Sequence, residues 1–369
     1  MLKKATALLA LCLSMSVYAN AYVKGFYMVS PTTDKNYETA KSMGVTHVHA
    51  YLNAYSEKGE ESLQLQLDTA EKHGLKVMFN LIRAGVEKEP NGLEKIRAVV
   101  RRFKDHPALG FWYLYDEPSG PEMVMILERV YAMLKQETPN IPVALCLAQT
   151  QDWRSFVPHC DILMGDQYPV HDEPFPEAPL FRYSNFIRDM AAYGKPVIAI
   201  PQFMNWRCYP SVSASYEQAN LRYPNDTELR YFFYSALAIG NSAGVFWYSF
   251  YDILRLGNRE YFDEMRPLML EMRKFADLLK EPEKAQVFMW ARDSNFYMSL
   301  IDKKYLVLVN NYPIKQKVER WTENIIKGDT DLKPWGSTRA VKAEIRNNRF
   351  KLEGFIEPWE SLVWEIVEK

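Results

Sequence analysis

The chain has 369 residues, 45 of them basic and 46 acidic, for a formal net charge of −1. That balance gives no reason to expect a nucleic acid or an anionic membrane surface as a partner. The length suits one large domain or a barrel with an appendage, and aromatics at 14% supply both a core and rings for a binding surface.

The first residues read as a targeting segment rather than as fold. Lys3 and Lys4 precede an apolar run from Ala5 to Val17, and Ala19-Asn20-Ala21 forms an A-x-A cleavage site. The expectation is a signal peptide over 1–21, cut before Tyr22, and a secreted or periplasmic mature chain. Cys12 lies inside the apolar run behind bulky Leu11, which argues against a lipoprotein. No later apolar stretch reaches the ~18 residues a membrane helix needs, so no membrane span is expected. Cys146, Cys160 and Cys208 are odd in number and irregular in spacing. They suggest neither a disulfide framework nor a zinc site, and no cofactor or metal is expected. Oligomeric state is not written in the sequence.

Apolar, often β-branched or aromatic runs then recur with helical patterns between them. They fall at Val23 to Ser30, Thr46 to Asn53, Leu75 to Ile82 and Ala108 to Tyr115. Four more follow at Pro142 to Gln149, Asp161 to Tyr168, Pro196 to Phe203 and Ala243 to Tyr251. Eight strands alternating with helices predict the α/β class and a (β/α)8 TIM barrel over 22–282. Local signals agree: Asp34 can cap a helix reaching Met43, Gly44 and Gly74 follow helix ends, and Asn225-Asp226-Thr227 opens a helix. Glu281-Pro282-Glu283 reads as a boundary. Beyond it come short strands without helices: Gln286 to Ala291, Phe296 to Ile301, Tyr305 to Asn310, Ala340 to Arg346, Phe350 to Gly354 and Leu362 to Ile366. Asn347-Asn348 fits a tight hairpin turn. The expectation for 283–369 is a small all-β sandwich domain, with Trp359 a core residue before a ligand-binding one.

One stretch concentrates the chemistry. Phe111-Trp112-Tyr113-Leu114-Tyr115 runs into Asp116-Glu117-Pro118, which reads as a buried parallel strand delivering two acids to its carboxyl end. Read alone, Asp-Glu-Pro is a pair of solvated loop acids; the strand-to-acid junction favours a site. From Asp105-His106-Pro107-Ala108 to Asp116-Glu117-Pro118 the segment resembles the fourth strand of clan A glycoside hydrolase barrels. That strand ends in Asn-Glu, the Glu serving as general acid/base, and Asp116 here replaces the Asn. The resemblance implies Glu117 as general acid/base, with the neighbouring Asp116 raising its pKa.

The remaining strand endings follow the same resemblance. Met164-Gly165-Asp166-Gln167-Tyr168 stands where the clan carries His-x-Tyr, so Tyr168 matches the Tyr that bonds the nucleophile and Asp166 replaces the His. Pro201-Gln202-Phe203 stands where the nucleophile Glu is expected, and the amide of Gln202 cannot form a glycosyl ester. Asp166 then becomes the candidate second carboxylate, as base for a water oriented by Gln202, with an inverting outcome. Trp247 or Tyr248 matches the clan's sugar-stacking Trp; one of the two is expected to face substrate. Trp206 is a candidate platform, Asp252 a third acid, and Asn53, Asn80, Arg83 and Gln149 candidate hydroxyl-binding groups.

His47-Val48-His49 is an H-x-H of the kind that opens amidohydrolase metal sites. The further histidines such a site needs are missing, so core or rim histidines are the better reading. No G-x-S-x-G, G-x-G-x-x-G or Walker motif occurs. The sequence thus predicts an exported glycoside hydrolase acting on an oligo- or polysaccharide. The alternative is a non-catalytic carbohydrate-binding protein on a degenerate glycosidase barrel, which Gln202 favours.

Overall fold

The computed structural model describes residues 22–31, 33–83, 85–148, 153–216, 220–289, 295–321, 330–336, 341–347 and 349–368. The expected signal peptide and Gln149 lie outside the described residues. Eight strands close a parallel barrel in chain order: β1 (Val23–Phe26), β2 (His47–Val48), β3 (Lys76–Asn80), β4 (Leu109–Asp116), β5 (Val143–Leu147), β6 (Ile162–Gln167), β7 (Val197–Pro201) and β8 (Ser242–Trp247). The longer helices between and after them are α1 (Asp34–Ser42), α2 (Gly59–Lys72), α3 (Gly92–Phe103), α4 (Gly120–Glu137), α5 (Phe181–Ala191), α6 (Asp226–Ile239), α7 (Phe250–Arg255) and α8 (Glu260–Ala276). The fold is a TIM barrel followed by an all-β region. No described helix is long and apolar enough to cross a membrane.

Contacts divide the chain into two compact units. The first runs to Asp166 and adds Lys195–Ile200 and Gly244–Lys280. Its strands point side chains inward in layers, as barrels of this kind do. Phe246 sits over Gly25, where an added Cβ would lie 2.3 Å from the ring. Phe246 and His47 both pack on Phe111. One layer up, Tyr27, His49 and Tyr113 meet edge to face. Both histidines of the H-x-H are therefore interior filling, and burial pushes each imidazole down to about 3, which keeps it neutral.

The Asp105-His106-Pro107-Ala108 run is a structural entry to β4. The Ala108 amide donates to His106 Nδ1 (3.1 Å), so the ring proton sits on Nε2 and points at Asp68 of α2 (3.1 Å). Asp68, Glu71 and His106 lie close enough to suggest a cation site, but this tautomer leaves Nε2 a donor instead of a ligand.

The second unit comprises Gln167–Gly194, Pro201–Ala243 and Glu281–Lys369. Its C-terminal part holds a five-stranded sheet, β13-β16-β11-β10-β9, and a three-stranded sheet, β12-β15-β14. The strands are β9 (Gln286–Met289), β10 (Phe296–Ile301), β11 (Tyr305–Asn310), β12 (Gln316–Trp321), β13 (Thr330–Pro334), β14 (Val341–Arg346), β15 (Arg349–Ile356) and β16 (Ser361–Glu368). Phe296, Leu308 and Trp364 of one sheet share a core with Val318, Phe350 and Leu352 of the other. Trp359 is buried, with its indole N–H on the Pro176 carbonyl (2.7 Å) and its ring against Tyr231. Helix α6 is buried nearly all round and opens with a capping box between Asn225 and Glu228. It packs against α5 and against β10, β11 and β16.

Candidate active site

Three carboxyl groups of the first unit gather where β4 and β6 end. The strand alternation that places Phe111 and Tyr113 inward should turn Asp116 outward, since it lies an odd number of residues on. A β-bulge corrects this: Tyr113 pairs with Ala144 and Asp116 with Cys146, so β4 carries an extra residue there. Tyr113 and Asp116 then share a face, and the Tyr113 hydroxyl donates to the Asp116 carboxylate at 2.5 Å. The Tyr51 hydroxyl, from the segment after β2, is a second hydrogen-bond partner of that carboxylate.

Glu117 comes next with its amide on the Cys146 carbonyl (3.1 Å) and a left-handed backbone, φ +52°. A side chain rarely adopts that conformation. Here it accompanies a turn of the chain after which the Glu117 carboxyl lies near Asp116 and hydrogen-bonds Asp166 of β6. Two carboxyls bond only when one carries a proton. Glu117 is exposed as a residue, yet enough protein surrounds its carboxyl for burial to raise its pKa. The Asp116 charge raises it further, and the hydrogen bond with Asp166 works in the opposite direction. The buried Cys146 thiol, held protonated by burial and by Asp166, Asp116 and Glu117, lies 3.8 Å from Asp166.

The contact brings together the two carboxyl groups that the sequence pairs as acid and base.

Other expected residues are placed as follows. Trp247 is buried core, while Tyr248 is half-buried and packs on Tyr27. Strand β8 ends at Trp247, so Tyr251 and Asp252 belong to α7 and not to the strand. Asp252 is fully buried at the start of that helix, with Ser249 Oγ at 2.6 Å. Asn80 is also buried and donates to the Leu52 carbonyl, and Asn53 accepts from the Tyr55 amide. Both shape the segment that presents Tyr51. Arg83 is exposed with its guanidinium over the Tyr51 ring.

In the second unit, Gln202 is completely buried and its amide is spent on backbone. Its NH2 donates to the carbonyls of Val170 (2.7 Å) and Met204 (3.2 Å), and its oxygen accepts from the Val170 amide (2.8 Å). The side chain expected to orient a water is a clamp between two loops. Those loops carry an aromatic stack that sequence reasoning found only in part. Trp206 stacks on His171 (5.1 Å, 7°), and His171 on Tyr216 (4.6 Å, 17°). Tyr168 meets Trp206 edge to face, and its carbonyl accepts the indole N–H. Arg222, paired with buried Glu228, bonds the carbonyls of Glu173 and Tyr223 and fixes the base of the stack.

No family model matches the chain, and no curated protein matches it by sequence. Solved structures do. A structure titled a glycoside hydrolase aligns at a TM-score of 0.63 and 13% identity over 96% of both chains. An Anoxybacillus alpha-amylase aligns at 0.59 and 10%, over 96% of this chain and 99% of that one. A glycoside hydrolase family 5 protein from Bacteroides vulgatus aligns at 0.59 and 11%, over 95% and 89%. At such identities the likeness is one of fold: the chain has a barrel and β-appendage architecture found among glycoside hydrolases.

Proposed function

We propose that this chain is an exported glycoside hydrolase acting on an oligo- or polysaccharide, with Glu117 as general acid/base. The observation that carries the reading is the Glu117–Asp166 carboxyl pair beside Asp116, with the Glu117 pKa raised. A raised pKa favours the protonated carboxyl, the form that gives its proton to the glycosidic oxygen as the bond to the anomeric carbon breaks. The substrate oxygen takes the position that Asp166 occupies against Glu117. Asp166 then takes a proton from the water that bonds to the anomeric carbon as the leaving sugar departs with the Glu117 proton, and the Asp116 charge, held by its tyrosine partners, stabilises the oxocarbenium-like centre between the two events. Tyr248, after β8, offers a ring face for the sugar, and no cofactor takes part.

The test is turnover on aryl glycosides and on plant, algal and microbial polysaccharides. Glu117→Gln should lower the rate by roughly 10²–10⁴-fold, the usual size of a general acid/base contribution, while oligosaccharide binding persists. Wild-type rates in that variant on an unactivated substrate remove Glu117 from the mechanism. Export is tested by N-terminal sequencing from the native host: the expected mature start is Tyr22, and a soluble chain retaining Met1 overturns it.

One observation favours a second reading. The Gln202 amide is locked to backbone, and a carboxylate is missing at a strand end where the resembled clan keeps its nucleophile. A carbohydrate-binding protein on this barrel predicts measurable oligosaccharide affinity with no turnover on any of the panel, and Glu117→Gln then changes nothing catalytic.

A further inference from the structure

We propose that the sugar recognised by this cleft is anionic, and that Arg83 takes its negatively charged group. The proposal rests on the reading of the Glu117 site as a carbohydrate cleft.

The cleft wall is acidic: Asp116, Glu117 and Asp166 converge there. An anionic substrate would be repelled by such a wall unless a cation stood beside it. Arg83 supplies one, and its position is built. Its guanidinium lies 5.0 Å from the centroid of the Tyr51 ring, and the hydroxyl of that same ring bonds the Asp116 carboxylate. The cation and the acid therefore share one tyrosine, the guanidinium over its face and the Asp116 carboxylate at its hydroxyl. A sugar with its anomeric carbon at Glu117 can thus present a ring substituent to Arg83.

The guanidinium is also uncommitted. Among the described residues it makes no ion pair and no side-chain hydrogen bond, and it is exposed. Glu87, four residues on, makes no ion pair with it among the described residues. That side chain is turned inward, bonded to the Tyr115 hydroxyl, with one oxygen buried and unpartnered. Cation–π contact holds a guanidinium in place while leaving its N–H fork free. A planar fork of donors fits a carboxylate in two parallel hydrogen bonds, so a uronic-acid carboxylate is the group we commit to. A sulfate ester offers similar acceptors and is a separate arm of the test.

The experiment compares matched probes differing only in charge. Oligogalacturonate and oligomannuronate are set against their own carboxyl-reduced, neutral forms of equal length, with a sulfated galactan as third arm. Binding is followed by titration calorimetry on Glu117→Gln, with Arg83 intact or changed to Gln or Lys. Cleavage is followed with Glu117 intact. The uronates should bind tighter than their neutral partners. Arg83→Gln should erase that preference, by roughly 10–100-fold, the size of a lost charge-assisted contact, and should lower neutral affinity by much less. Lys should restore part of it. Preference for the sulfated probe alone replaces the carboxylate as ligand and overturns that assignment. Equal affinity for charged and neutral probes, or an undiminished preference in Arg83→Gln, overturns the role of Arg83. Turnover and binding fail separately: selective binding without cleavage sinks the hydrolase reading and leaves this one standing.

Discussion

Glu117 holds a conformation that costs a non-glycine residue about 1–3 kcal/mol, and Asp116 beside it holds a carboxylate against two tyrosines. Both features serve one end, bringing adjacent acids into a single cleft where each feels the other. The coupling has a sign that can be measured. Asp116 raises the Glu117 pKa, so in Asp116→Asn that pKa falls and the proton is lost at lower pH. A carbon-13 NMR titration of the Glu117 carboxyl, which needs no turnover, should show the midpoint moving down. Where the variant keeps activity, its alkaline limb should move to lower pH as well. An unchanged midpoint means that burial alone sets the value. The two acids of β4 were legible in the sequence because they end an apolar run. Asp166 was legible too, from the end of β6, but the tyrosine partners of Asp116 were not. Tyr113 meets Asp116 only because a bulge inserts a residue, and nothing in Phe-Trp-Tyr-Leu-Tyr-Asp announces a bulge.

Among the elements, the loops after β6 and β7 depend on Gln202. Both its N–H groups point at carbonyls, and a carboxylate in that position has no proton to give them. Gln202→Glu should therefore destabilise the fold by at least about 2 kcal/mol, the cost of burying a charge against acceptors. Chemical denaturation at neutral pH measures it, and the loss should shrink in acid, where the new carboxyl gains a proton. A stable, more active Gln202→Glu would instead make this the vacated nucleophile position. The same contrast between pattern and context marks which strands could be read in advance. β10 and β11 fell at their expected ends because both are continuous apolar runs. β12 and β13, Gln-Lys-Val-Glu-Arg-Trp and Thr-Asp-Leu-Lys-Pro, were missed: each lies at the edge of its sheet and carries charge, as exposed edges do. β2 was read as running to Asn53, but pairing ends at Val48 and the chain turns to present Tyr51.

For the whole molecule, the sequence places a boundary near Pro282, where helical patterns stop. Compact units follow a different line, since α5 and α6 group with the C-terminal sheets. The reason is visible in α6. Tyr231, Phe232, Phe233 and Tyr234 are consecutive and all buried, so no face of the helix is suited to water. Its contacts include β10, β11 and β16, and the Tyr231 hydroxyl joins Ser184 of α5 and Asn311 beyond β11 in a buried network. Cutting the chain after Lys280 would strip that side of α6 and remove Asn311, the acceptor that Tyr231 and Ser184 share, a loss of about 1 kcal/mol for each such hydrogen bond. Exposed aromatic surface of this kind drives association. The expected outcome for residues 22–280 is insoluble or aggregated protein, with 22–369 soluble and cooperative in thermal unfolding. A monomeric 22–280 fragment with a sharp transition and native near-ultraviolet dichroism would falsify the claim, and the sheets would then be a separable appendage as the sequence pattern suggests.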